Sequence, residues 1–190
     1  MIAMDSSYSI TKEQFQEVKE YTKVVMNSFI NNKVHATQSA VIGFGENVTH
    51  VTFFGDSTKE IFENINKYIP NGNDFKTNID FAMTNMTSMV QRFGRIGVPK
   101  VIITATDGKS TRGMGNLQLA AKEAADKNTI SIAIGIGSGY VDEELSNITN
   151  GIKDNIFKTD FSELATIAAK ATVEKLCLCK YMETDNEDID

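Results

Sequence analysis

The stretch Met1-Ile2-Ala3-Met4-Asp5-Ser6-Ser7-Tyr8-Ser9 decides how the rest of the chain is read. A short apolar run with no polar alternate face reads as a strand buried on both sides. It stops at an acid, and two hydroxyls follow at alternate positions. Asp5, Ser7 and Ser9 then occupy the turn at the carboxyl end of that strand, where ligands bind in open α/β sheets. Three hard oxygen donors in five residues suit a small divalent cation. The plainer alternative is that Asp5 or Ser9 caps the helix that follows.

Working outward, Thr11 to Ile30 carries Phe15, Val18, Val25, Phe29 and Ile30 at near-helical spacing and predicts an amphipathic helix. Ala36–Phe44 and Val48–Phe54 predict two strands joined by the short turn Gly45-Glu46-Asn47, hence an antiparallel hairpin. Ser57 to Ile69 predicts a helix with Ile61, Phe62, Ile65, Tyr68 and Ile69 facing inward, broken by Pro70-Asn71-Gly72. Ile79 to Phe93 predicts another, with a stripe of Ile79, Ala82, Met83, Met86, Met89, Val90 and Phe93 whose methionines fill the core. A two-sided strand over Lys100–Thr104 runs into Thr106-Asp107-Gly108. A helix over Asn116–Lys127, a strand over Ile130–Ile136 and a short helix over Asp142–Ile148 follow. A weak strand at Ile156-Phe157 precedes a last helix, Phe161–Leu176, with Phe161, Leu164, Ile167, Ala168, Ala171 and Leu176 available to pack. Strands and helices thus alternate, which predicts an α/β fold: a doubly wound, mostly parallel sheet with helices on both faces. Residues 1–176 form one domain in this reading, and 177–190 an acidic tail or linker.

Bulk composition narrows the function classes. The chain has 190 residues, 41% of them hydrophobic, which supports one domain with a real core. A net charge of −6 argues against nucleic acid and anionic membrane surfaces as partners. No apolar stretch approaches bilayer-spanning length. No signal peptide is visible, but the chain enters its first strand almost at once and so reads as an excerpt. Cys177 and Cys179 are badly spaced for bridging each other and stand as free thiols or as links to something outside the chain. Three N-x-[ST] sequons, at Asn47, Asn85 and Asn147, match chance expectation for this composition.

Two more loops bear on Asp5. Asp107 ends a central strand as Asp5 does, and Thr77 precedes a long helix. Loops after neighbouring central strands converge on one crevice. Asp5, Ser7, Ser9, Thr77 and Asp107 then give two carboxylates and three hydroxyls, a set suited to Mg²⁺, with Mn²⁺ or Ca²⁺ as alternates. Zn²⁺ is expected to fit poorly, because no His or Cys joins the pattern.

These motifs resemble the von Willebrand factor type A domain, the integrin I-type domain. The resemblance runs from Ile2 to about Leu176. It rests on Asp5-Ser6-Ser7-Tyr8-Ser9, on Thr77, on Thr106-Asp107-Gly108, on Ile130–Gly137 and on Asp160-Phe161-Ser162-Glu163-Leu164, in that order. It implies a six-stranded sheet of order 3-2-1-4-5-6 with strand 3 antiparallel. It also implies a metal-ion-dependent adhesion site (MIDAS) in which the serines and the threonine ligate magnesium and the aspartates ligate it or hold its waters. A partner's Asp or Glu carboxylate completes the shell, and the last helix shifts between closed and open states.

The chain departs from that family at Asp74-Phe75-Lys76, where glycines are usual, and at Ser6 and Tyr8, where small residues are common. Lys76 is expected either to weaken the metal or to attract the ligand acid, and Asp74 to serve as an outer acid. Tyr8, Phe75, Lys109 and Arg112 are the expected ligand-binding rim, the plainer alternative for Tyr8 being that it covers the first helix. The implied function is an extracellular or cell-surface module for cell adhesion or extracellular-matrix protein binding, with a matrix protein such as collagen as one candidate partner. The alternatives are a metal-independent oligomerising matrix module linked through its cysteines, and an intracellular assembly subunit of the same superfamily. An enzyme is not expected. No Gly-x-x-x-x-Gly-Lys loop is present, Ser7 has no His partner in the motif, and His35 and His50 fall at the edge hairpin.

Overall fold

The computed structural model describes residues 1–30, 37–70, 75–111 and 114–181, with the backbone alone described at 114 and 178–181. The strands are β1 (Ile2–Asp5), β2 (Val41–Phe44), β3 (Val48–His50), β4 (Lys100–Thr106), β5 (Thr129–Ile136) and β6 (Ile156–Thr159). They form one six-stranded sheet of order β3-β2-β1-β4-β5-β6. Only β2 and β3 pair antiparallel; the other neighbours run parallel. This is the doubly wound α/β topology the alternating pattern predicts.

Side chains alternate across the strands and so feed two cores. Ile2, Met4, Ile103, Ile132, Ile134 and Ile136 pack with Phe15, Val18, Tyr21 and Val25 of α1 (Lys12–Ile30), with Ile61 and Ile65 of α2 (Thr58–Lys67), and with the C-terminal helical segment. On the other face, Ala3, Ile42, Phe44, Ile102 and Ala133 meet α3 (Ile79–Phe93), α4 (Met114–Asp126) and α5 (Asp142–Ile148). Ile79, Met83 and Met86 are fully buried there, so these methionines are core filler.

The chain order reverses direction in the sheet between β1 and β4. Their register sets Ile2 beside Ile103 and Met4 beside Ala105, which carries Asp5 and Thr106 to the same end. That end is the switch-point crevice of a doubly wound sheet.

Four local expectations are corrected. The second hairpin strand stops at His50, not Phe54, because the amides of Val51 and Thr52 both turn onto the Val41 carbonyl. Helix α2 stops at Lys67 with Tyr68 in extended backbone, which turns Ile69 outward to 78% exposure. Phe93, at the last residue of α3, is exposed rather than packed. Finally, the C-terminal helical segment is not uniform. An α turn, α6 (Phe161–Glu163), leads into a π-helical stretch, Leu164–Ala168, before α7 (Ala169–Tyr181). The wider π turn changes which residues face inward. Leu164, Ala168, Ala169 and Thr172 are buried, and Ile167 is exposed. The helix also continues past Leu176.

Tyr68 has a further role. Its hydroxyl lies 3.0 Å from Ser6 Oγ, and a Cβ at Gly43 would stand 2.1 Å from that hydroxyl. Gly43 is therefore the space that lets the end of α2 close over β2, behind the turn at Ser6.

Candidate metal centre

Asp5 is the last residue of β1 and is fully buried. Its Oδ1 accepts from the Ser7 amide at 2.9 Å and its Oδ2 from Thr106 Oγ1 at 2.6 Å. The D-x-S turn thus closes on its own acid, while β4 supplies the second donor. Burial pushes the Asp5 carboxyl up to about 6; the Ser7 and Thr106 hydrogen bonds oppose that rise, and the Asp107 charge adds to it.

The two hydroxyls carry the connection onward. Ser7 Oγ lies 3.1 Å from Ser9 Oγ, and Ser9 Oγ donates to Asp107 Oδ1 at 2.9 Å. Asp107 is also raised, chiefly by burial, with the Ser9 bond pulling the other way. Thr77 is buried just before α3. A methyl group at Gly108 would stand 3.7 Å from Thr77 Oγ1 and 3.9 Å from Ser9 Oγ, so both hydroxyls border one space. Asp5, Ser7, Ser9 and Asp107 therefore form one hydrogen-bonded chain, with Thr77 beside its far end.

The chemistry of this set fits a hard cation. Asp5 is held out of water and Asp107 partly so, with hydroxyls and amides beside them, and among the described residues neither has an ion-pair partner. Among the described residues, no cluster of three or more His, Cys, Asp or Glu is placed to hold a metal. Any cation here would have to rely on the hydroxyls, which is the Mg²⁺-like donor preference.

Two supports, Glu144 and Gly139, have no signature in the local pattern. Glu144 of α5 is 2% exposed, and its two oxygens accept from the Ser110 amide at 3.2 and 3.0 Å. Burial raises its pKa, and the Ser110 bond and Lys109 charge oppose the shift. Glu144 thus grips the loop that follows Asp107. From the far side, a Cβ at Gly139 would stand 2.4 Å from the Asp107 carbonyl, so the loop after β5 can pack here only as glycine. Thr106, named only as part of the T-D-G motif, is the residue that joins Asp5 to β4. A buried acid on a short amphipathic helix resembles a solvated residue in sequence, so nothing short of the fold marks Glu144.

The rim is partly assembled. Tyr8 and Phe75 are 65% and 72% exposed, and their rings meet at 5.0 Å, tilted by 38°. Lys109 is exposed on the Asp107 loop. Arg112 and Asp74 lie outside the described residues, as does His35. Lys76 turns to Glu46 in the β2–β3 turn, so its ammonium is engaged there. His50 stacks on Phe53 at the sheet edge, at 5.5 Å.

The profile of the von Willebrand factor type A domain matches residues 1–170. The chain belongs to the von Willebrand factor type A family. Matrilin-1 of Gallus gallus is 26% identical over 180 residues, covering 92% of this chain and 35% of matrilin-1. The collagen alpha-1(XXI) chain of Homo sapiens is 29% identical over 152 residues, covering 77% of this chain and 15% of the collagen chain. Among solved structures, proximal thread matrix protein 1 from the mussel byssus superposes with a TM-score of 0.82 at 28% identity, over 93% of this chain and 47% of that one. The same mussel protein has been solved with a zinc-occupied MIDAS motif, with a TM-score of 0.80 and 26% identity over the same shares. This type A domain therefore spans about a third of matrilin-1, and still less of the collagen chain.

Proposed function

We propose that this type A domain is a divalent-cation-dependent protein-binding module of the extracellular matrix or cell surface. Asp5, Ser7, Ser9, Thr77 and Asp107 hold the cation. The bound ion supplies Lewis acidity toward an Asp or Glu carboxylate of a partner protein, with a matrix protein such as collagen as a candidate. The observation that carries this reading is the unbroken chain Asp5–Ser7–Ser9–Asp107, which gathers donors from two separate loops around two carboxylates that have no ion-pair partner among the described residues.

The protein's own residues do the remaining work. Thr106 and the Ser7 amide hold Asp5 in one orientation, and Glu144 and Gly139 fix the Asp107 loop. Tyr8 and Phe75 present an aromatic surface at the mouth, of the kind that anchors protein partners. Mg²⁺ is the ion favoured by the donors, with Mn²⁺ and Ca²⁺ next. The zinc-occupied motif of the mussel relative weighs against excluding Zn²⁺ on donor type alone.

Titration calorimetry with each of the four ions tests the centre. Wild type is expected to bind one ion per domain, and Thr77→Ala to lose at least tenfold in affinity with an unchanged unfolding temperature in chelator. Capture of an immobilised matrix protein should vanish in chelator and return with added ion. Capture that persists unchanged in chelator overturns the reading. The metal-independent oligomerising alternative is favoured by the free, exposed thiol of Cys177. It predicts dimers that survive chelator and dissociate in reductant.

A further inference from the structure

The three sequons are alike in sequence but not in the fold. Asn85 lies mid-way along α3; its Oδ1 is buried, and Thr87 of the same sequon is fully buried. Asn147 lies in α5, where its Oδ1 accepts from Gln118 Nε2 at 3.4 Å. Its sequon partner Thr149 is 1% exposed, with the hydroxyl turned to the Leu145 and Ser146 carbonyls. A branched sugar at Asn85 would have to enter the packing under α3, and one at Asn147 would displace the Gln118 contact beside a buried Thr149.

Asn47 is different. It stands exposed at the tip of the β2–β3 turn, which the Gly45 amide closes onto the Asn47 carbonyl at 3.1 Å. Thr49, its sequon hydroxyl, is exposed on the three-residue edge strand β3. Surface turns of secreted proteins are where N-linked sugars are carried.

We infer that Asn47 is the acceptor of an N-linked glycan and that Asn85 and Asn147 carry none in the folded protein. The inference rests on the extracellular placement proposed above. In the transfer, Asn47 Nδ2 forms the bond to C1 of the first sugar of a lipid-linked diphosphate oligosaccharide. The C1–O bond breaks, the lipid diphosphate leaves with the electron pair, and the amide gives up one proton. The turn that would carry the sugar has a defined position. The Asn78 amide donates to the Gly45 carbonyl at 2.9 Å, and Asn78 Nδ2 to the Glu46 carbonyl at 2.7 Å. The glycosylated turn is thus fastened to the residue after Thr77, so the glycan flanks the crevice on its β3 side. It also covers a sheet edge whose unpaired backbone groups would otherwise invite a foreign strand.

The test expresses residues 1–190 behind a foreign secretion signal in animal cells and reads the protein recovered from the medium. Intact mass before and after enzymatic removal of N-glycans is expected to show one glycan, and peptide mapping to place it at Asn47. Asn47→Gln should be secreted without a glycan, while Asn85→Gln and Asn147→Gln keep it. Secreted protein with no glycan, or with one at Asn85 or Asn147, overturns the inference. Because the signal is foreign, the result stands apart from where the native protein resides. That placement is read separately, by detecting the native protein in the medium or matrix of its own cells, and its failure would leave the acceptor result intact.

Discussion

Ile134 and Asp5 are both fully buried, yet they act on stability in opposite directions. Ile134 sits in the sheet face under α1 and gains from the exclusion of water at any pH and with any ion present. Asp5 sits at the end of β1, where the same exclusion works against its charge, and two hydrogen bonds offset only part of the cost. The apolar faces make the domain fold. The crevice is tolerated by that fold, and in the proposed reading a bound cation supplies its counter-charge.

The largest expected effect lies on the apolar side. Ile134→Ala should cost about 3–4 kcal/mol in denaturant unfolding, by lost transfer and the cavity left behind. The loss should be the same in chelator and in saturating cation. A loss that shrinks when cation is added would mean the two regions are coupled.

Next comes the crevice. The Asp5 carboxyl is raised from 3.8 to about 6 in the folded domain, so between those values the folded state holds a proton that the unfolded state has released. Stability in chelator should therefore fall as pH rises from about 4 to 6 and stay reduced above that. The full cost is about 3 kcal/mol. Asp5→Asn should remove it, making the ion-free domain more stable than wild type at pH 7.5 while abolishing cation binding. Unfolding curves of the two proteins across this range give the difference directly, and parallel pH profiles would show that Asp5 is not strained by burial.

A smaller effect is expected at the support. Glu144→Gln keeps the size of the side chain but weakens its hold on the Ser110 amide. Cation affinity should drop about tenfold, as for outer partners of metal ligands. The unfolding midpoint in chelator should move little, and rescue is expected with Glu144→Asp only if the shorter acid still reaches Ser110. Unchanged affinity would place Glu144 with the core rather than the crevice. The smallest effect belongs to a site remote from both. Ser57 and Glu60 form a reciprocal capping box at the start of α2. Ser57→Ala should cost about 1 kcal/mol, equally with and without cation, and leave calorimetric affinity untouched.

Much of the fold was legible because it is written in local periodicity. The apolar runs of β1, β4 and β5 and the stripes of α1 and α3 are properties of neighbouring residues, and they predict their own burial. The same holds for Asp5-Ser6-Ser7-Tyr8-Ser9 and Thr106-Asp107-Gly108, whose donors lie at the ends of strands that the pattern itself marks. Local reading failed where an element ended or changed pitch. Ile69 and Phe93 continue an apolar stripe past or onto the last turn of a helix, where no partner surface remains. Ile167 is turned out by a π stretch that periodicity of 3.6 does not anticipate.

The sequence by itself determined the order of strands and helices and the oxygen-bearing residues that stand at the strand ends. Only the tertiary structure decided that Glu144 grips the loop after Asp107, that Glu46 engages Lys76, and that Thr49 is exposed where Thr87 and Thr149 of the other two sequons are buried. The reason is physical. Those outcomes depend on groups distant in the chain becoming neighbours in space, and a contact across thirty or more residues leaves no periodic trace in the residues that make it.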